Sequence, residues 1–134
     1  MDENVRVCRI VRAQDIRQID MRQLCTEYDI VITTFYFLRS CKGYVDMVDA
    51  ALGGSSRTRA TLTSWARQLN HNEPVLEAIN WRRIIVDEMH DTFENARDMR
   101  ILSLFNYKSL WGVTGTPNVE TEQAQCLYTL LQRQ

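Results

Sequence analysis

Apolar positions change period repeatedly along this chain. Val5-Arg6-Val7-Cys8-Arg9-Ile10-Val11 alternates, which predicts a strand near a sheet edge. Gln14 to Cys25 then sets Ile16, Ile19 and Leu24 on one side of a short amphipathic helix. Asp29-Ile30-Val31-Ile32-Thr33-Thr34-Phe35 predicts a second strand, apolar and β-branched, closing on two hydroxyls. From Phe35, the spacing of Leu38, Cys41, Val45, Val48 and Leu52 turns helical again, with Gly43 as the candidate break. Gly53-Gly54-Ser55-Ser56 reads as a loop. Beyond it Leu62, Trp65, Ala66 and Leu69 recur at i, i+3, i+4 and i+7, a helix that closes near Asn70-His71-Asn72. Pro74 is placed to start another short helix carrying Val75, Leu76 and Ile79.

The next stretch, Trp81-Arg82-Arg83-Ile84-Ile85-Val86-Asp87-Glu88-Met89-His90-Asp91, is the one the rest is arranged around. Ile84-Ile85-Val86 is expected to be a strand buried on both faces. Phe93, Ala96, Ile101, Leu104 and Phe105 predict a helix, and Leu110-Trp111-Gly112-Val113-Thr114 a last strand ending in Gly115-Thr116-Pro117. Glu120 to Gln132 predicts a closing helix with Ala124, Leu127, Tyr128 and Leu131 facing inward. Strands alternating with helices imply an α/β fold with a parallel sheet flanked by helices. The interval from Thr34 to Ile84 is too long for one crossover helix, so residues 53–80 read as a small helical insert.

Composition narrows the classes. A chain of 134 residues is expected to be one domain, 1–134, large enough for a real core. Its net charge of −1 excludes a global field that draws it to nucleic acid or membrane, so any DNA contact has to be local. Cys8, Cys25, Cys41 and Cys126 form no paired metal pattern and read as buried or semi-buried free thiols of a reducing compartment. No apolar run approaches the roughly 18 residues of a membrane span. Met1-Asp2-Glu3-Asn4 does not begin a signal peptide. The expectation is an intracellular, soluble protein. Arg57, Arg59 and Arg67 read as solvated, and Arg82 and Arg83 as charges guarding the strand against aggregation.

In open parallel sheets, ligands sit beyond the carboxyl ends of the strands. Asp87 and Glu88 fall at such an end, where one carboxylate can hold a metal and the other orient a water. The competing reading is that Asp87 caps the following helix. Three strand ends share this character: Thr33-Thr34, Asp87-Glu88-Met89-His90 and Thr114-Gly115-Thr116-Pro117. Taken singly, Thr33 and Thr34 are good strand formers, His90 suits a helix start, and Gly115 with Pro117 suits any tight turn.

As an ordered set they resemble the first motor lobe of superfamily-two helicases, most closely the Swi/Snf-type DNA-dependent ATPases. There, an Asp-Glu-x-His box follows a segment like Trp-Arg-Arg-Ile-Ile, a DEAH-like arrangement. A Thr-Gly-Thr-Pro box follows a Trp-containing strand, and a segment like Tyr28 to Phe35 comes earlier. The resemblance spans about Val5 to Leu131 and implies a partial RecA-like P-loop NTPase lobe, a three-layer α/β fold with helices on both faces of the sheet. It implies that Asp87 holds Mg²⁺, that Glu88 orients or deprotonates the water attacking the γ-phosphate of ATP, and that His90 relays nucleotide state to Thr114, Gly115 and Thr116. Thr33 and Thr34 would bond phosphates of double-stranded DNA. Met89 departs from the small residue usual between Glu and His.

The family's phosphate cradle, a Gly-rich loop ending in Gly-Lys-Ser/Thr, has no counterpart in this sequence, whose lysines are Lys42 and Lys108. Nor is there a second motor lobe. The resemblance therefore implies a fragment of an ATP-driven DNA translocase, its N-terminal phosphate-loop segment missing, located in the nucleus, the cytoplasm or a virus. The parent protein would hydrolyse ATP with Mg²⁺; this chain alone is expected to bind ATP weakly or not at all and not to turn it over. The strand Leu110 to Thr114 is expected to be an exposed apolar edge. The alternative is a non-catalytic, degenerate lobe that binds nucleic acid or protein.

Overall fold

The computed structural model describes residues 4–68 and 72–115, a mixed α/β arrangement of two compact units, Met1–Ala78 and Ile79–Gln134. Thr116, Pro117, His71, Cys126 and the helix expected over Glu120 to Gln132 lie outside the described residues.

The first unit opens with strand β1 (Val7–Ile10), helices α1 (Ala13–Arg17) and α2 (Met21–Glu27), and strand β2 (Ile30–Thr33). β1 and β2 pair in parallel, with Val7 opposite Ile30 and Ile10 opposite Thr33. Arg6 fastens the entry to both strands: its backbone N–H donates to Asp29 Oδ2 at 2.8 Å and its guanidinium reaches the same carboxylate at 3.2 Å. The single helix expected over Gln14 to Cys25 is two helices. Asp20 restarts the backbone, accepting the Gln23 N–H at 2.7 Å while Gln23 Oε1 accepts the Asp20 N–H at 3.1 Å. This reciprocal cap satisfies helix-start donors that an unbroken helix would spend on its own carbonyls.

Helices α3 (Phe35–Ser40) and α4 (Lys42–Ala51) follow, and the break between them falls at Cys41, not at Gly43. Cys41 is extended and serves as the last cap of one helix and the first of the next. Gly43 lies inside α4 for a different reason. A Cβ placed there would sit 2.8 Å from the Cβ of Ala13, so the glycine lets α4 meet α1 at backbone distance. Helix α5 (Arg59–Ala66) buries Leu62 and Trp65, and a single 3₁₀ turn, Leu76–Ala78, replaces the short helix expected after Pro74.

A buried polar cluster ties these pieces together. Glu77 and Tyr44 are fully enclosed. The Tyr44 hydroxyl donates to Glu77 Oε2 and accepts the Leu76 N–H at 2.9 Å. Arg57, expected to be solvated, instead turns inward and gives Nη1 to Glu77 Oε1 and to the Leu38 carbonyl, both at 3.2 Å. A glutamate this deep has no water to replace its partners, so the cationic partner has to come in with it. Arg59 and Arg67 are exposed as expected. Of the thiols, Cys8 is buried, Cys41 half-buried and Cys25 exposed, the last against expectation.

The second unit holds β3 (Asn80–Trp81), β4 (Ile84–Val86), α6 (Met89–Glu94), α7 (Ala96–Leu102), β5 (Asn106–Tyr107) and β6 (Leu110–Gly112). β3 pairs in parallel with β5, Asn80 opposite Asn106, and β4 with β6, Ile84 opposite Leu110. The offset is the same in both (106 − 80 = 110 − 84 = 26), so one register runs through the two pairs. The helix expected from Phe93 to Phe105 starts earlier and is divided at Asn95, whose side chain caps α7 through the N–H groups of Arg97 and Asp98. β4 is not buried on both faces: Val86 is enclosed while Ile85 is 59 % exposed. β1 and β2 likewise bury Cys8 and Ile10 but leave Val7, Ile30 and Ile32 about half exposed. Among the described residues β6 pairs with β4 alone, so its other edge is free, as expected.

Two outcomes test this packing. Gly43→Val should cost about 1–3 kcal/mol in chemical denaturation, the usual penalty of overpacking, because Ala13 is held by its own helix and cannot yield. Burial outweighs Tyr44 and Arg57 and pushes the Glu77 carboxyl above the usual glutamate range. The folded chain therefore holds that proton more tightly than the unfolded one. Glu77 contributes most below the ordinary glutamate pKa, and its contribution is lost as pH rises through the raised value. Asp15 and Asp29, held low by backbone N–H groups and by Arg6 respectively, act in the opposite sense and lose their contributions as pH falls. Glu77→Gln should remove the first slope from a stability–pH curve and leave the second.

Candidate functional site

The carboxylate-bearing turn is set by two ladder bonds. Val113 N–H donates to the Val86 carbonyl at 2.9 Å, and Met89 N–H donates to the Val113 carbonyl at 3.0 Å. The second bond jumps from β4 to the first residue of α6, so Asp87 and Glu88 must be accommodated between adjacent rungs. The backbone does so by turning left-handed at Glu88, with φ 49° and ψ 50°. It is the one non-glycine residue with positive φ among those described. Such a conformation crowds Cβ against the following carbonyl and costs about 1–2 kcal/mol.

Glu88, not Asp87, occupies the cap position of α6, and its side chain makes no cap bond. Asp87 Oδ1 accepts the neighbouring Glu88 N–H at 3.0 Å. Neither carboxylate accepts a backbone N–H of α6, and both side chains are exposed. Asp87 thus keeps one oxygen free to face a ligand.

His90 stands one helical step beyond. Its Nδ1 lies 2.7 Å from Thr114 Oγ1 and 3.3 Å from Glu88 Oε2, and its Nε2 lies 3.3 Å from Asp91 Oδ1. The imidazole therefore bridges the acidic turn and the end of the β6 segment, and Gly115 follows directly on Thr114. Met89 is buried beneath, packed on Gly112: a Cβ at that glycine would meet Met89 Cγ at 2.8 Å. Gly112 and Met89 are partners that sequence reasoning did not single out as site-forming. The large residue before His90 fits because the strand opposite it has no side chain on that face.

Asp87, Glu88, His90, Thr114 and Gly115 are thus gathered at one strand end of the second unit. Thr33 and Thr34 belong to the first unit. Thr34 caps α3, its Oγ1 accepting the Phe37 N–H at 3.1 Å, which leaves its own O–H free to donate. Thr34 is exposed, while the Thr33 hydroxyl oxygen is enclosed. Arg83, also exposed, lies over the Trp111 ring with its guanidinium carbon 4.0 Å from the centroid, a cation–π contact.

Among the described residues no cluster of three or more His, Cys, Asp or Glu side chains forms a metal cage. No helix among the described residues is long and apolar enough to cross a membrane. A family model of the SNF2-related domain matches residues 2–133. No curated protein and no solved structure matches the chain significantly.

The left-handed turn makes a direct prediction. Glu88→Gly should unfold at equal or higher denaturant, gaining up to about 1 kcal/mol, because glycine adopts this φ without strain. Glu88→Val should lose about 1–2 kcal/mol, since a β-branched residue fits it worst. The opposite order would show that the turn is not held left-handed in solution.

Proposed function

The chain belongs to the SNF2-related domain family, the Swi/Snf-type ATPases, and on that premise we propose that it supplies the Mg²⁺- and water-handling box and the coupling box of an ATP-driven DNA translocase. Proteins of this family use ATP and Mg²⁺ and act on DNA. What supports the reading most is one contact, His90 Nδ1 to Thr114 Oγ1 at 2.7 Å, which joins the acidic turn to the Thr-Gly-Thr segment.

In this reading Asp87 holds the cation through its unengaged oxygen. Glu88, exposed and held out from α6 by its left-handed backbone, orients the attacking water and takes its proton. His90 hears changes at Glu88 through Nδ1, 3.3 Å away, and passes them to Thr114 and on to Gly115 and Thr116. Thr34 donates its free O–H to a DNA phosphate, and Thr33 holds the strand end beside it. The lobe is a partial RecA-like one, 1–134, with residues 53–80 as its helical insert and helices on both faces of its sheet. ATP binding strong enough for turnover needs a lysine on the β- and γ-phosphates, and neither Lys42 nor Lys108 sits in a Gly-Lys-Ser/Thr context. A second reading is a binding lobe without catalysis of its own.

Two measurements test these readings. With ATP present, Mn²⁺ in place of Mg²⁺ should broaden the amide NMR signals around Val86 to Glu88, and Asp87→Asn should abolish the effect. Uniform broadening, or none, overturns the cation role. The chain by itself should hydrolyse no ATP with duplex DNA added; a DNA-stimulated activity lost in Glu88→Gln would refute the binding-lobe reading.

A further inference from the structure

Gly112, Val113 and Thr114 each hold the start of α6 in a different way. Gly112 receives the Met89 side chain: a Cβ at the glycine would lie 2.8 Å from Met89 Cγ, 3.1 Å from its Cβ and 3.6 Å from its Sδ. The Val113 carbonyl accepts the Met89 N–H at 3.0 Å. Thr114 Oγ1 meets His90 Nδ1 at 2.7 Å. The polar contact at Thr114 is thus the last in a row of fasteners, and the first of them is a matter of shape alone.

Shape is strict at this point. Non-bonded carbon atoms rest about 3.5–4.0 Å apart. Any side chain at position 112 would overlap Met89 Cγ, and the crowding extends to Met89 Cβ, one bond from the α6 backbone. Met89 is 3 % exposed, so its thioether has no open solvent to swing into. Relief has to come from the backbone, by about 0.7 Å or more. His90 is the next residue in the chain. A displacement of that size along the contact carries 2.7 Å beyond about 3.2 Å, the ordinary limit of a nitrogen–oxygen hydrogen bond.

We propose that Met89 and Gly112 are positioning residues for the coupling contact: the side-chain volume at 89 and its absence at 112 together set the distance between His90 and Thr114. Both act through those two residues. This rests on the reading of His90 and Thr114 as the pair that joins the acidic turn to the Thr-Gly-Thr segment. It follows that the two positions are not independent, since volume added at 112 has to be removed at 89.

Proton–nitrogen correlation NMR of the His90 ring in the full chain tests this, its signals identified as those lost in His90→Gln. Thr114→Val marks where the Nδ1 resonance lies without the threonine hydroxyl. Gly112→Ala should move Nδ1 most of the way to that position. Met89→Ala/Gly112→Ala should bring it back toward the wild type, stopping short because the 3.1 Å approach to Cβ remains. A purely structural role would lower the denaturation midpoint of Gly112→Ala and leave Nδ1 in place, and that result overturns the proposal. So does a double variant no closer to the wild type than Gly112→Ala. If Gly112→Ala does not fold, Met89→Ala, which adds no atom, is read in its place; it should shift Nδ1 in the same direction by less, and an unmoved signal overturns the proposal. A signal unmoved in Thr114→Val overturns the coupling contact itself and this proposal with it, whereas one moved there but not in Gly112→Ala overturns the proposal alone.

Discussion

Everything the second unit presents depends on the ladder that runs past the end of β4. Parallel pairing fixes Val86 against Gly112 and lets Val113 bond both to Val86 and to Met89. Because Met89 is already the first residue of α6, only two residues remain to turn the chain from strand to helix. The chain makes that turn with Glu88 in the left-handed region. The same constraint frees both carboxylates from capping duty and sets His90 opposite Thr114.

The first unit is held by a different economy of charge. Glu77 is enclosed together with Tyr44, and Arg57, which follows the Gly53-Gly54 loop in the chain, donates to it. Both glycines have positive φ, 61° and 78°, which lets the chain reverse sharply enough to bring Arg57 back over α4. Removing one member of such a cluster strands the others in a dry environment, so it acts as a unit. It closes the unit around the Phe37–Tyr44 ring contact, whose centroids lie 4.7 Å apart.

Both units keep one sheet face apolar and open. In the second, Arg83 lies across Trp111, covering part of the ring without drying it. Glycine decides the opposite face: with no side chain at Gly112, Met89 reaches the strand and the helix start sits close enough for His90 to meet Thr114.

By itself, the sequence determined the four longer strands, the strand-end position of Asp87, Glu88 and His90, and the family, because these follow from short-range periodicity and from motifs contiguous in the chain; the two-residue strands β3 and β5 are too short to carry a period and were not legible. The Asp20–Gln23 cap was also legible in principle, as a side-chain pair three residues apart, but a continuous apolar stripe masked it. Only tertiary structure decided that Arg57 turns inward to Glu77, twenty residues away, since nothing local distinguishes it from the exposed Arg59. Only tertiary structure decided that Gly43 is a contact with Ala13 and not a helix break. The left-handed turn at Glu88 belongs here too: it exists because strand pairing leaves two residues for a turn, and pairing is a fact about distant backbone, not about the identity of Glu88.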